Sequence, residues 1–183
     1  MEFIQTGIAG LYIVSPKMIE DERGVFARTY CKNEFKEIGF DKEFVQFNHS
    51  FNPRAGTLRG MHFQQPPFAE TKLIRCVQGA VYDVAVDLRK DSATFLHWHG
   101  IELSGENMTG IIIPEGFAHG FQTLQDDSAL IYHHTEFYTP GADSGMRFDD
   151  PALNIEWKLP VACISEKDKS YPLLDKNFKG FNI

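Results

Sequence analysis

Short apolar stretches separated by turn residues run through most of this chain. Between residues 72 and 138 they are KLIRCVQG, AVYDVAVDLR, FLHWHGIELS, TGIIIPEG, AHGFQTL and ALIYHHTEFY, each bounded by Gly, Ser, Asp or Pro. Earlier stretches are GIAGLYIVSP, VFARTY, FVQFNHSF and TLRGMHFQ. Short strands at such intervals, with no alternating helices, are typical of a sandwich, jelly roll or barrel. The pattern therefore predicts an all-β fold.

A few segments depart from this pattern. KNEFKEI, from Lys32 to Ile38 and closed by Gly39, predicts one short helix, and DERG at 21–24 predicts a turn. AVYDVAVDL alternates only partially between apolar and polar positions. From Asp149 onward the chain is richer in Pro, Lys and Asp, and we expect this tail to wrap the barrel. With no linker or repeat, residues 1–183 are expected to form a single domain.

Composition and charge narrow the function. Hydrophobic residues make up 43% of the 183 residues and aromatic residues 13%, which argues against disorder. The formal net charge of −7 argues against general nucleic-acid binding, which usually leaves a basic excess. A phosphorylated small molecule stays compatible with this charge if a few arginines converge on one pocket.

Cysteine usage and hydropathy indicate the compartment. Cys31, Cys76 and Cys163 are odd in number and show neither CxxC spacing nor a disulfide framework, which favours a reducing environment. The N-terminal stretch lacks the basic region and cleavage site of a signal peptide. No apolar run approaches the roughly 20 residues that span a bilayer. The sequence predicts a cytoplasmic protein with no membrane partner.

Seven histidines raise the question of a metal site. His97 and His99 are two residues apart, so on a strand their side chains share one face. The competing interpretation is that they merely flank a buried Trp98. A metal-binding cupin pattern also needs a glycine at a fixed distance before the HxH, and this chain lacks it. The residues therefore favour the second interpretation over a metal site. The residues that could have completed a ligand set are Glu102, Glu106 and His119.

A second group of residues could move protons. His62 lies in LRGMHFQ with Arg59 three residues before it, Lys72 follows, Tyr132 falls near a strand end, and Asp168 could orient an imidazole. A base, a cation, a phenol and an orienting carboxylate are the parts needed to remove a proton beside a carbonyl. The alternative is that His62 is a hydrogen-bonded residue without a chemical role, which is the commoner fate of a lone histidine.

Two further hypotheses concern His119 as a residue of the site and the arginines as phosphate ligands. His119 lies in PEGFAHGF, where turn residues could present its side chain at a barrel mouth. A phosphate site would require two arginines to converge, whereas strand arginines are usually solvated or paired with carboxylates. The arginines that adjoin predicted strands are Arg23, Arg59, Arg75, Arg89 and Arg147.

At these residues the sequence resembles the dTDP-4-dehydrorhamnose 3,5-epimerase family. The resemblance covers nearly the whole chain, through DERGVFAR, FVQFNHSFNPRAGTLRGMHFQ, ETKLIRCVQGAVYDVAVDLRKDSATF, LSGENMTGIIIPEGFAHGFQTLQDDSALIY, FYTPGADSGMRFDDP and ISEKD. It implies a cupin-type jelly-roll barrel, a homodimer, a nucleotide-sugar substrate, and neither metal nor cofactor.

The resemblance also implies residue roles. His62 matches the family's general base, Asp168 the carboxylate that hydrogen-bonds it, Tyr132 the general acid, and Lys72 a lysine beside the sugar's carbonyl oxygen. The matched substrate-binding positions are Gln46, Asn48 and Arg59 for the sugar and diphosphate, Arg23 for the nucleotide across the dimer interface, His119 lining the site, Tyr138 stacking on the base, and Asp143.

Two positions depart from the family pattern. Arg28 stands where glutamate is usual near the nucleotide, and Asp143 stands where glutamate is common. The implied reaction is epimerisation of a nucleotide-linked 4-keto-6-deoxy sugar at carbon 3, carbon 5 or both. The alternatives are a ketoisomerase or a single-centre epimerase on the same scaffold, and a non-catalytic sugar-binding cupin. Tyr132 favours an epimerase, because inversion needs an acid on the opposite face.

Overall fold

Short antiparallel strands form most of the regular secondary structure in this computed structural model, which describes residues 1–183. The strands are β1 (Glu2–Gln5), β2 (Tyr12–Ser15), β3 (Met18–Asp21), β4 (Gly24–Ala27), β5 (Gln46–Asn52), β6 (Leu58–Gln64), β7 (Lys72–Gln78), β8 (Ala80–Asp87), β9 (Trp98–Ser104), β10 (Gly110–Ile113), β11 (Phe117–Thr123), β12 (Ser128–His134) and β13 (Asp143–Gly145). The helical segments are α1 (Lys32–Phe35), a 3-10 turn (Lys36–Ile38) and α2 (Glu166–Ser170).

Two sheets pack face to face. One has the strand order β1-β2-β10-β7-β12-β5 and the other β13-β6-β11-β8-β9, while β3 and β4 form a separate hairpin. The apolar interior takes residues from both sheets, including Ile74 and Leu130 of the first and Val81 and Phe121 of the second. This double-sheet arrangement is a jelly roll, so the predicted all-β fold is confirmed.

Strand β8 shows why the sequence alternates only partially there. Val81 and Ala85 point into the barrel, whereas Val84 and Val86 belong to a second apolar cluster on the outside of the sheet. Every residue of β8 is buried, so both faces select apolar side chains. The cover comes from the tail after Asp149, as predicted, through Leu153, Ile155, Trp157, Leu174, Phe178 and Phe181.

The short helix predicted at Lys32–Ile38 is present as α1 followed by the 3-10 turn. It ends at Gly39, whose φ of 79° is a left-handed conformation that glycine adopts without a side-chain clash. Phe35 is fully buried and packs edge-on against Phe3 and Phe40 at centroid distances of 5.0 and 5.8 Å. This aromatic cluster covers the outer face of the first sheet, over Leu73 and Ile112 among other residues.

Four elements were not predicted. They are β1, β3, β13 and α2, and each has five residues or fewer, too few to show a repeating pattern. Ser165 caps α2, because its Oγ accepts the backbone N–H of Asp168 at 3.0 Å. None of the helical segments is long and apolar enough to cross a membrane.

Candidate active site

A β-bulge in strand β6 places two side chains on the inner face of the barrel. His62 pairs with His119 of β11, but Arg59 pairs with Phe121, so β6 has one extra residue between these pairs. Residues three apart on a regular strand face opposite sides, and the bulge lets both Arg59 and His62 face inward. Gly60, at the bulge, has a φ of 132°, and a Cβ on it would lie 2.5 Å from the Cα of Gly120.

His62 is held by a nearly buried carboxylate. Its Nε2 lies 2.8 Å from Oδ1 of Asp168, and the other carboxylate oxygen accepts the backbone N–H of Gly60 at 3.1 Å. Burial raises the pKa of Asp168, but the hydrogen bonds from His62 and Gly60 outweigh it and hold the pKa below its usual value. An ionised Asp168 fixes the proton on Nε2 and leaves Nδ1 as the basic nitrogen.

Lys72 is buried beside an acid that the sequence analysis did not single out. Its Nζ lies 3.2 Å from Oε1 of Glu70, and the side chains of both residues are 10% exposed. The second oxygen of Glu70 lies 2.7 Å from Nδ1 of His134. Burial raises the pKa of Glu70, but His134 and Lys72 outweigh that effect and lower it, so Glu70 is a carboxylate.

Tyr132 reaches the same interior from the opposite sheet. Its hydroxyl lies 3.2 Å from Oγ of Ser50 on the neighbouring β5. Its ring packs against His119 and His134, with both centroid distances 6.1 Å. Burial raises the pKa of the Tyr132 phenol far above its usual value, so the hydroxyl keeps its proton at neutral pH and is able to donate it.

His119 lies deeper than the other candidates. It is 5% exposed, and its Nε2 lies 2.9 Å from Oδ2 of Asp83, which is fully buried. Burial lowers the pKa of His119 despite the opposing charge of Asp83. The pair places a fixed polar group in the wall of the pocket, next to Tyr132.

The remaining candidates form the walls and rim. Arg59 donates from Nε to Oδ1 of Asn52 at 2.8 Å. At the rim, the Tyr138 hydroxyl donates to Oδ1 of Asp143 at 3.2 Å, and Oδ2 of Asp143 pairs with Lys167 at 2.7 Å. Lys167 lowers the pKa of Asp143, and this ion pair raises the pKa of Lys167 to about 12.

These groups line two adjoining cavities. The outer cavity, about 490 Å³, is lined by Gln46, Arg59, Tyr138, Asp143 and Asp168, among others. The inner cavity, about 250 Å³, is lined by Tyr132, His119 and Ser50, among others. Five residues line both: Asn48, Arg59, His62, Lys72 and His134. The structure thus brings together ten of the eleven predicted site residues, and the site also contains Glu70, His134, Ser165, Lys167 and Tyr171.

Arg23 is the exception. It lies at the turn of the β3–β4 hairpin, where its guanidinium pairs with the neighbouring Asp21, and it lines neither cavity within one chain. Arg28, the charge-reversed position, pairs with Glu34 at 2.8 Å. Among the arginines, only Arg59 lines the cavities, so the convergence of two arginines is not seen in a single chain.

The histidines considered for metal binding stay apart from this site. His97 is exposed and His99 is half-buried on β9. No group of three or more His, Cys, Asp or Glu side chains is placed to hold a metal ion.

A jelly-roll barrel with a histidine on one sheet, held by a carboxylate of α2, and a buried phenol and lysine on the other sheet defines an acid–base enzyme of the nucleotide-sugar isomerase class. The dTDP-4-dehydrorhamnose 3,5-epimerase family matches residues 5–176. The chain belongs to this family, which confirms the resemblance. An epimerase is therefore favoured over the ketoisomerase and the non-catalytic cupin.

Individual relatives match this chain over nearly their full lengths. The dTDP-4-dehydrorhamnose 3,5-epimerase of Methanothermobacter thermautotrophicus is 45% identical over 96% of this chain and 95% of its own. The enzyme of Bacillus anthracis, solved with TDP and PPi bound, superposes with a TM-score of 0.92 at 43% identity, covering 94% and 99% of the two chains. The Legionella pneumophila epimerase, in complex with dTDP-4-keto-L-rhamnose, gives 0.91 at 37% identity, covering 100% and 98%.

Proposed function

We propose that this protein inverts carbons 3 and 5 of a dTDP-linked 4-keto-6-deoxy sugar by proton transfer through an enolate. The observation that carries the proposal is the placement of the base and the acid. His62 on one sheet and Tyr132 on the facing sheet line the same cavity of about 250 Å³, and Asp168 of α2 holds His62 from the outer cavity. Inversion requires a proton to leave one face of the sugar and another to arrive on the opposite face.

His62 is the base. A proton beside a ketone is weakly acidic, so its removal needs stabilisation of the charge that develops on the carbonyl oxygen. Lys72 supplies a cation in a largely buried position, and one such preorganised donor is worth roughly 3–4 kcal/mol. Asp168 fixes the tautomer of His62 and favours the imidazolium that forms.

Tyr132 is the acid. Because burial keeps its phenol protonated, it can deliver a proton to the enolate from the first sheet. His62 then releases its proton to solvent, and Tyr132 takes one up. The site holds one such base and one such acid, so inversion of both carbons requires the sugar to shift or flip its ring between the two steps. General acid–base transfer of this kind contributes about 10²–10⁴-fold.

Gln46, Asn48, Arg59, His119, Tyr138 and Asp143 bind the substrate. Arg59 supplies positive charge for the diphosphate, and Tyr138, 56% exposed at the rim, offers a ring on which the base stacks. The reaction belongs in the cytoplasm, where unpaired cysteines such as the three in this chain persist.

Hydrogen exchange tests the reaction directly. The protein is incubated with dTDP-4-keto-6-deoxyglucose in deuterated water, and NMR follows deuterium at carbons 3 and 5 together with product configuration. We expect deuterium and inversion at both carbons. His62→Asn should abolish exchange while leaving the circular dichroism spectrum intact. A folded His62→Asn protein that still exchanges would remove His62 as the base, and exchange without inversion at either carbon would refute the reaction.

We further propose that the enzyme works as a homodimer in which Arg23 of one chain reaches the nucleotide site of the other. The support is a set of apolar side chains left exposed on the β3–β4 hairpin and on β5. They are Met18, Ile19, Val25, Phe26, Phe47 and Phe51, each at least 45% exposed. A surface of this kind marks an interface, and Arg23 lies at the tip of the same hairpin.

Two variants separate assembly from binding. Phe26→Asp should shift the mass in analytical ultracentrifugation from dimer to monomer and reduce turnover. Arg23→Ala should leave the mass unchanged and raise KM for the nucleotide sugar. A monomeric wild-type protein with full activity would refute the dimer, and an unchanged KM in Arg23→Ala would refute the role of Arg23.

A further inference from the structure

A directed chain of hydrogen bonds runs along the pocket wall from Glu70 to the rim. Nδ1 of His134 lies 2.7 Å from Oε2 of Glu70, and Nε2 of the same ring lies 3.2 Å from Nδ2 of Asn48. Nε2 of Gln46 then donates to Oδ1 of Asn48 at 3.3 Å, and the backbone N–H of Tyr138 donates to Oε1 of Gln46 at 3.0 Å.

The groups at the two ends of this series of hydrogen bonds determine which partner donates in each bond. The Glu70 carboxylate can only accept, and the Tyr138 N–H can only donate. Every group between them must therefore donate toward Glu70 and accept from the side of Tyr138. For His134 this requires a neutral imidazole with its proton on Nδ1 and an acceptor at Nε2. No other protonation state satisfies all four contacts.

We propose that His134 and Glu70 are positioning residues that set the orientation of the amides of Asn48 and Gln46 for the sugar nucleotide. The inference rests on the proposed function, because Asn48 and Gln46 were assigned there to substrate binding. His134 is 7% exposed and is held by Glu70, which also holds Lys72. Glu70 thus positions Lys72 at the carbonyl oxygen directly, and it positions the amides of Asn48 and Gln46 through His134.

A second proton on His134 would reverse the direction of its hydrogen bond to Asn48. With both ring nitrogens donating, the Asn48 amide must turn over to present Oδ1, and the Gln46 amide must follow. Nε2 of Gln46 would then face the Tyr138 N–H, donor against donor, so one contact is lost whichever way the amides turn. The other titratable groups that contact His134 or Glu70 are Tyr132, whose ring lies 6.1 Å from that of His134, and Lys72, 3.2 Å from Glu70.

Substrate binding should therefore depend on His134 donating at Nδ1 and accepting at Nε2. We expect His134→Leu, which does neither, to raise KM by about fivefold to tenfold, the loss typical of one neutral hydrogen bond. In His134→Gln, whose amide can donate to Glu70 and accept from Asn48, KM should return toward the wild-type value. The matched control is His97→Gln, an exposed histidine remote from the site, in which KM should follow the wild type.

A second measurement does not depend on turnover. The side-chain amide resonances of Asn48, assigned by their loss in Asn48→Asp, should move in His134→Leu but keep their wild-type position in His97→Gln. A KM that rises as much in His134→Gln as in His134→Leu, or Asn48 resonances that His134→Leu leaves unmoved, overturns the inference. If the wild type shows no turnover at all, the proposed function fails, and the Asn48 resonances alone decide whether His134 orients the amide.

Discussion

Asp168→Asn tests the central contact of the site with a change of one atom. In the wild-type protein the Asp168 carboxylate accepts from two donors, Nε2 of His62 and the backbone N–H of Gly60. An asparagine has one acceptor oxygen, so it can satisfy only one of them. The buried Gly60 N–H has no access to water, and leaving it unpaired costs about 1–3 kcal/mol. The side chain of His62 is 42% exposed and can turn to water instead.

The amide oxygen of the introduced asparagine should therefore point at Gly60, with its NH₂ group facing His62. That arrangement makes Nε2 an acceptor and places the imidazole proton on Nδ1, so His62 loses its basic nitrogen inside the cavity. We expect kcat to fall by about 10²–10⁴-fold, the usual contribution of a general base. Stability should fall modestly, because the charge-assisted contacts become neutral ones.

The assay is steady-state turnover together with a thermal melt. Asp150→Asn is the matched control: Asp150 is 3% exposed against 4% for Asp168, and it accepts backbone N–H groups of Ala152 and Leu174 away from the cavities. It should lose stability but keep kcat. An Asp168→Asn enzyme within tenfold of the wild-type kcat, or an equal loss of kcat in Asp150→Asn, contradicts the reasoning.

Other perturbations follow from the same geometry. Tyr132→Phe should still exchange deuterium from the His62 side with retention, while inverted product falls by about 10²–10⁴-fold; inversion at the wild-type rate would exclude Tyr132 as the acid. Gly60→Ala should lower the free energy of unfolding by several kcal/mol, because its Cβ would meet the Gly120 backbone at 2.5 Å, and an unchanged melting temperature would count against the bulge. EDTA should leave turnover unchanged, since the HxH motif lacks further ligands; activity lost on chelation and restored on reloading one metal per chain would overturn this. Asp168 should stabilise the fold above the ordinary Asp pKa of about 3.9. Because its pKa is lowered in the fold, this contribution is lost as pH falls below that value, so acid unfolding of Asp168→Asn should be less pH-dependent than that of the wild type.

The local pattern of the sequence was enough for the main strands. Apolar stretches bounded by turn residues predicted these strands of both sheets, because each strand must bury at least one face. For the acid–base set, the residues alone left open whether His62 has a chemical role, and the resemblance to the family implied the roles of His62, Lys72, Tyr132 and Asp168. Gly39 marked the end of the single predicted helix.

The tertiary structure alone decided which of these residues meet. Arg59 and His62 share a face only through the bulge at Gly60, and a strand pattern with period two assigns them to opposite faces. Asp168 reaches His62 because the tail returns across β6, a contact 106 residues apart in sequence. Glu70 and His134 also meet only in the folded chain. No local sequence pattern marks either side chain as part of the site. The two residues are 64 apart in sequence, and the pairing of β7 with β12 brings them to 2.7 Å.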